Sequence, residues 1–391
     1  MKRYSTDRSN FKLRMHSACK KTLHVCNRTQ TRLQLLFRVM EISQVTELND
    51  EDQFLELSTE WTEVLKSSGD DNLFYTWEWL STWWKNFHEG ELLILLIKRK
   101  ERIVGIAPLM CSEHRLFRTF NLKKLQFVGA GISDYSNFII KNKEEEQCLA
   151  AIFEYLSKCS GKWDYISLRE IPLDSGYISL VREIFPSEFK FRISSVCKYI
   201  LIPHSMRIQE NSLRGSVRRS LRRTLKRLNE EHRVDFTILS DPDSARDGLR
   251  TFEKLYQKQW DSKKPAEKHT LPKRSFLDDI VSVFAERGWL NLSFINADDA
   301  RISSCLGFEY GNRLYGYLTS FDPDYGRFGP GQLHIRFLIE YCLRRGLREL
   351  DLLRGQEQYK NKWNPCMRKN VELKGFKKGL FHTFRRCLRI A

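Results

Sequence analysis

The stretch from Arg301 to Trp363 narrows the fold more than any other part of this 391-residue chain. Two runs in it, Ile302 to Phe308 and Leu314 to Ser320, are rich in the aromatic and aliphatic residues that suit a pleated surface. Gly311-Asn312 between them is a turn signal, so the two runs read as a hairpin. Asp322 to Gly331 then carries Pro323, Pro330, Gly326, Gly329 and Gly331, a composition that ends a strand and opens a helix. Leu333, Phe337, Leu338, Tyr341 and Cys342 fall on one face of a helix from Gln332 to Arg345, stopped by Gly346. Leu347 to Leu353 follows as a short strand. The first amides of a helix lack intrahelical acceptors and carry the positive end of its dipole, so a glycine loop there lets an anion, phosphate above all, come close. A tight turn without a ligand is an equally good reading of these glycines taken alone.

The rest of the chain is long enough for a second domain, and 41% hydrophobic with 12% aromatic residues excludes a disordered chain. Asn49 to Leu65 and Trp77 to Phe87 are helical in period, the latter with a tryptophan-rich core stripe. Leu92 to Arg99 and Arg102 to Cys111 form a hairpin. Lys124 to Gly129 and Asp164 to Leu168 are strands, with a helix from Glu144 to Cys159 between them. After a polar boundary between Ile200 and Ser212, an amphipathic helix from Leu213 to Leu228 has a basic outer face. Its readings are a solvated face, a dock for a polyanion such as coenzyme A phosphates or tRNA, and a membrane-surface helix; a narrow stripe without Trp or Phe argues against insertion. Strand Asp235 to Leu239, helix Ala245 to Trp260, a basic loop from Asp261 to Lys273, helix Ser275 to Arg287 and strand Leu290 to Ile295 lead into the organising stretch.

Charge is uneven. Residues 1 to 39 hold ten Lys and Arg against Asp7 alone, +9 of the net +17. This extension has no apolar core of the kind a secretory signal needs, and Met40 is the expected natural start. The ten cysteines show no C-x-x-C pair and the nine histidines no H-E-x-x-H, so neither a metal nor a disulfide framework is expected. His334 reads as a packing or surface residue. The longest apolar run, Leu92 to Ile97, is a strand in length. A cytoplasmic protein is expected, with peripheral contact at the inner face of the cell membrane left open.

The residues from Gly326 to Trp363 resemble the GNAT superfamily of acyl-CoA-dependent N-acyltransferases, specifically its tandem-domain CelD/BioF2-like acetyltransferase branch and the related FemABX peptidyltransferases. The GNAT loop pattern, (Arg/Gln)-x-x-Gly-x-(Gly/Ala), registers on Gly326, Arg327, Phe328, Gly329, Pro330 and Gly331, departing at Gly326 with Arg327 one place along. Asp351, then Gly355-Gln356-Glu357-Gln358-Tyr359-Lys360 and Trp363, look like the family's strand-Asp, Gly-x-Glu-x-Tyr-Lys, Trp signature. Phe74 to Trp84, Ser133-Asp134-Tyr135 and Trp163 to Leu168 look like its earlier segments. The resemblance implies an α/β (α+β) fold of two tandem GNAT-like domains, each a mixed, mainly antiparallel sheet flanked by helices. The expected division is 1–39 as extension, 40–203 as the first domain and 204–391 as the second, which alone carries the cofactor loop.

It further implies acyl-CoA as co-substrate, held by Gly326 to Gly331 and Gln332, and an amine acceptor such as an amino sugar or cell-envelope polysaccharide precursor. Asp134 and Tyr135, which follow the Gly129-Ala130-Gly131 turn and otherwise read as an Asx-turn, become substrate-cleft candidates. Acyl transfer from a thioester to an amine needs a base and a dipole on the thioester oxygen but no covalent intermediate. No G-x-S-x-G nucleophile is present, which fits direct attack. Asp351 and Glu357 are candidate bases, Tyr359 an acid for the leaving thiolate and Lys360 a donor. A buried ion pair of Asp351 with Arg354 or Lys360 is the plain structural alternative. Two other readings remain: aminoacyl-tRNA as donor, as in the FemABX relatives, and a non-catalytic basic nucleic-acid-binding protein. No stable nucleic-acid partner is expected, because half of the charge lies in the extension.

Overall fold

The structure is a computed structural model that describes residues 44–376 apart from 89, 117–119, 160, 185–188, 262–269 and 356. The 1–39 extension, the Met40 start, most of the 261–273 loop and Gln356 lie outside the described residues. The strands are β1 (Gln44–Leu48), β2 (Glu91–Arg99), β3 (Arg102–Leu116), β4 (Phe120–Phe127), β5 (Ile139–Ile140), β6 (Tyr165–Pro172), β7 (Lys190–Leu201), β8 (Val234–Leu239), β9 (Leu290–Ala297), β10 (Ala300–Tyr310), β11 (Arg313–Phe321), β12 (Glu349–Arg354) and β13 (Cys366–Phe376). The helices are α1 (Glu51–Glu56), α2 (Ser58–Lys66), α3 (Trp77–Phe87), α4 (Glu145–Lys158), α5 (Tyr177–Ile184), α6 (Met206–Ser212), α7 (Gly215–Glu231), α8 (Pro242–Asp261), α9 (Arg274–Glu286), α10 (Pro330–Arg345) and α11 (Gln358–Asn361).

One sheet runs through the molecule in the order β1-β2-β3-β4-β6-β13-β7-β12-β11-β10-β9-β8, with β5 paired to β3. Two pairs in it are parallel, β4 with β6 and β11 with β12, and each is joined by a crossover that contains a helix, α4 or α10. The two halves therefore repeat one plan. Their last strands are exchanged: β13 lies between β6 and β7, antiparallel to both, and β7 continues antiparallel onto β12.

The pleat sorts side chains into two layers of core. In β2, Leu92, Ile94 and Leu96 join a cluster that includes Trp61, Trp79, Phe252, Phe276 and Phe284, so helices of both halves share it. Leu93, Leu95 and Ile97 face the opposite way, against α4 and α5. Burial on both faces is why this run lacks polar alternation. A third cluster lies under α7 and α10.

The sequence expectation of one helix over Asn49 to Leu65 is corrected: it breaks at Leu57 into α1 and α2. The Phe54 carbonyl accepts from the Leu57 amide at 3.3 Å and from Trp77 Nε1 at 3.0 Å, so helical continuation is not needed to satisfy it. The helix of the organising stretch starts at Pro330, not Gln332, because proline is well placed at the first helical position. The short strand after it is Glu349–Arg354. β7, β13, α5 and α6 were not expected.

Candidate active site

Parallel pairing of β11 with β12 covers three residue pairs, Arg313–Glu349, Leu314–Leu350 and Tyr315–Asp351. β11 continues to Phe321 and β12 to Arg354, with Leu353 turned to φ 58°, so the strands part after Asp351. The glycine loop closes one side of this fork. Asp322 caps it, accepting from the Asp324 amide at 3.0 Å, and Lys258 of α8 bridges the Asp322 and Asp324 carboxylates. Gly329 takes φ 55°, ψ 50°, a left-handed conformation that favours glycine, and serves as N-cap of α10.

A Cβ built at Gly326 or Gly329 would meet nothing within 4 Å, and at Gly331 only the Phe321 ring at 3.8 Å. The backbone here is open to close approach, as a pyrophosphate would require. Pro330 has no N–H, and the Gln332 and Leu333 amides both bond to the Gly329 carbonyl, at 2.9 and 3.2 Å, leaving the Gly331 amide without a backbone acceptor. Phe328 is buried beneath the loop. Arg327 turns instead to Glu231 at the end of α7, and its guanidinium lies over the Phe328 ring, so it stands at the rim of the open backbone from Gly326 to Gln332.

α11 sits against the fork. The Tyr359 carbonyl accepts from Gln332 Nε2 at 3.4 Å, and burial pushes the Tyr359 phenol up, so it keeps its proton. Lys360 is 4% exposed; its Nζ donates to the Arg354 carbonyl at 2.7 Å and pairs with Glu357 at 3.0 Å. Glu357 itself is partly exposed, 41% at the side chain.

At the root of the fork lies a buried polar network. Tyr135 Oη donates to Asp351 Oδ2 at 2.7 Å, and the Leu353 amide donates to Asp351 Oδ1 at 2.8 Å. Arg368 Nη1 is 3.2 Å from Tyr135 Oη, 3.2 Å from Glu349 and 3.4 Å from Asp351. Asp351 is fully buried; loss of solvent, then the neighbouring Glu349 charge, raise its pKa to about 7 against the pull of Tyr135 and Arg368. The buried ion pair of Asp351 with Arg354 or Lys360 is thus corrected to a Tyr135–Arg368 pairing. Arg354 bonds Asp134 instead, through Nε at 2.6 Å and its amide at 3.2 Å. Burial holds the Asp134 carboxyl above its ordinary value although Arg354 opposes the shift.

The structure therefore brings Asp134, Tyr135 and Asp351 together, places Tyr359 and Lys360 beside the fork, and sets Glu357 apart on its partner Lys360. Sequence reasoning missed Glu349 and Arg368. Glu349 stands two residues before Asp351 on one strand, a spacing that puts both carboxylates on one face and could have been read. Arg368 carried no such signal, because it reaches Tyr135 from a strand 233 residues further along the chain. His334 is buried between Ser293 and Ser303, at 2.9 Å from each, and burial pushes its pKa down to about 3, so it is a neutral core residue. Among the described residues, no group of three or more His, Cys, Asp or Glu is placed to hold a metal ion.

Residues 215–361, from the start of α7 to the end of α11, match the family described as acetyltransferase (GNAT) domain. No curated protein matches the chain in sequence. Among solved structures the chain is similar in fold to FemX, at 12% identity over 87% of this chain and 99% of that one, TM-score 0.63. It is also similar to the C-terminal domain of a putative lysylphosphatidylglycerol synthetase from Agrobacterium fabrum (10% identity, 85% and 95% covered, TM-score 0.53) and to L-PGS from Bacillus licheniformis (11%, 86% and 95%, TM-score 0.51). At these identities the likeness is one of fold, and it extends over both halves. With the glycine loop opening α10 inside the matched segment, residues 215–361 carry a GNAT acetyltransferase domain, and the chain as a whole is similar in fold to FemX.

Proposed function

We propose that the chain is an acyl-CoA-dependent N-acyltransferase that binds its donor at the β11–β12 fork and passes the acyl group, acetyl in the simplest case, to an amine. The observation that carries this reading is a carboxyl with a pKa of about 7, Asp351, standing where the two strands part, next to a glycine-opened helix start. The acyl donor would lie with its phosphates on the Gly326 to Gln332 cradle. Asp351, about half ionised near neutrality, takes a proton from the acceptor ammonium, directly or through Tyr135. The free amine then attacks the thioester carbon. The C–N bond forms, the nitrogen gives up its second proton to solvent, the C–S bond breaks, and the thiolate leaves with a proton drawn from solvent, while Tyr359, which keeps its own proton, hydrogen-bonds the sulfur. Lys360 is assigned to the carbonyl oxygen or a phosphate, with Glu357 holding its charge. Asp134 and Tyr135 form the wall on the acceptor side.

An amino sugar or cell-envelope polysaccharide precursor is the acceptor class we assign. One observation favours a second reading, aminoacyl-tRNA as donor: the basic helix α7 packs on the turn before α10, with Arg227 over the Phe328 ring, so a polyanion seated on α7 would reach the fork. Release of free thiol from acetyl-CoA, measured against a panel of amines, decides between them. Amine-dependent release is expected; transfer from aminoacyl-tRNA with none from any acyl-CoA would favour the second donor.

A further inference from the structure

β13 carries a polar face along its whole length. Arg368 lies on it beside Asp351, and Asn370 follows with its Nδ2 donating to the Asp134 carbonyl at 2.9 Å. Glu372 and Lys374 continue the face, while Val371 and Leu373 point the other way, into the core against α4 and α5. The face therefore leads away from the acceptor wall, about 13 Å from Asn370 to Lys374. There four adjacent strands each contribute a cation: Lys124 on β4, Arg169 on β6, Lys374 on β13 and Arg192 on β7. Lys124 stands beside Tyr165, Lys374 opposite Ser167 and Arg192 opposite Glu372, and the Arg169 charge acts on both Lys124 and Glu372.

Carboxylates do not balance this ledge. Glu372, 2% exposed, accepts from Ser167 Oγ at 2.7 Å and pairs with Arg192. Arg169 comes no closer than 3.9 Å to Glu170, and Lys124 and Lys374 form no ion pair among the described residues. Lys374 lies over the Tyr165 and Phe376 rings instead, 5.8 and 5.3 Å from their centroids. Burial, then the Arg169 charge, hold the Lys124 ammonium below its ordinary pKa, with Lys374 adding to them and Glu372 opposing. An anion laid over cations gathered in this way relieves their repulsion.

The surroundings select the anion. Tyr165 is 8% exposed and stacks on Phe376 under Lys374, so it offers no open ring to a nucleic-acid base. Ile193, exposed and next to Arg192, is opposite Val371 and so faces the other side, which leaves the ledge without the apolar side chains a lipid surface takes. Interleaved with the cations are Ser167 and the bonded pair of Gln126 and Ser112, groups suited to sugar hydroxyls. The guanidinium forks of Arg169 and Arg192 match carboxylates, and Glu372 beneath them disfavours doubly charged phosphates. The ledge is about 14 Å across its four strands, room for several rings.

We infer that this ledge binds the acidic part of the acceptor: a glycan with carboxylates on its rings lies over Lys124, Arg169, Arg192 and Lys374 and presents its amine to the fork past Asp134. The inference rests on the N-acyltransferase reading and makes its acceptor an anionic oligosaccharide.

Calorimetric titration of the full chain with tetragalacturonate tests it, with maltotetraose as the neutral control and an eight-nucleotide RNA as the competing polyanion. The proteins are the wild type, the double variant Lys124→Gln with Lys374→Gln, Arg169→Gln, and Arg219→Gln with Arg223→Gln on α7 as a control for charge removed elsewhere. Tetragalacturonate should bind, and maltotetraose at least tenfold more weakly. The double variant should lose tenfold or more and the α7 variant less than twofold, with acetyl-CoA affinity unchanged in both. Arg169, 53% exposed at the side chain, supplies a variant that keeps its fold, and it should lose at least threefold. Absence of tetragalacturonate binding, a loss as large in the α7 variant, or ledge-dependent binding of the RNA in preference overturns the inference and leaves the donor reading standing. Ledge-dependent tetragalacturonate binding without any acetyl-CoA binding keeps the ledge and removes the donor reading.

Discussion

The basicity proposed for Asp351 comes from its surroundings. A carboxyl in water is ionised far below neutrality, too weak a base to deprotonate an ammonium efficiently; burial beside Glu349 brings it to about 7, where a general base works best. The sign follows directly: the base must be ionised, so kcat/KM should rise with pH through about 7 on its acidic limb. Asp351→Asn should lower kcat roughly 10²- to 10⁴-fold and abolish that limb, read from a pH–rate profile. An unchanged profile would remove Asp351 from the chemistry. That a carboxylate, Asp351, stands at a strand end was legible in the sequence, but its partners were not. Asp134 and Tyr135 come from a loop of the other half, and residue-level neighbours across more than 200 positions leave no mark in local pattern.

At the scale of elements, local sequence was a good guide wherever period and punctuation agreed. The hairpin of β10 and β11, its Gly311-Asn312 turn with both φ positive, α10 with Gly346 in the left-handed region at its end, and the basic helix α7 were all readable. β7 and β13 were not. Their alternation is blurred because both are central strands paired on each side, and several of their faces carry network residues, Cys197, Arg368 and Asn370, in place of plain apolar ones. The loop itself yields a contrast between its two later glycines. Gly329→Val forces a branched side chain into a left-handed conformation, at about 1–2 kcal/mol, and should lower the melting temperature by several degrees. Gly331→Val adds atoms only near Phe321 and should melt close to wild type. Thermal melts of the two variants check this.

Across the whole molecule, the exchange of β7 and β13 ties the two halves into one folding unit. Neither half can complete its sheet from its own continuous segment, and the Trp79 core draws on α3, α9 and β10 together. Denaturant unfolding followed by tryptophan fluorescence and by far-ultraviolet circular dichroism should show one coincident transition. Trp79→Ala should shift both signals together by about 3–5 kcal/mol. Two separated transitions would contradict the coupling. The tandem plan was visible as two successive sets of helices and strands, but the exchange was not, since pairing between strands far apart in sequence depends on topology rather than composition. The same exchange carries Arg368 to Asp351, so the fork is assembled by the fold as a whole.

The most direct test of the donor site is calorimetric titration of acetyl-CoA into the full chain and into Gly331→Val. Saturable binding by the wild type that falls tenfold or more in a variant with an unchanged melting temperature is the predicted result. Binding of equal strength in both proteins, or in neither, would contradict a coenzyme A site on this loop.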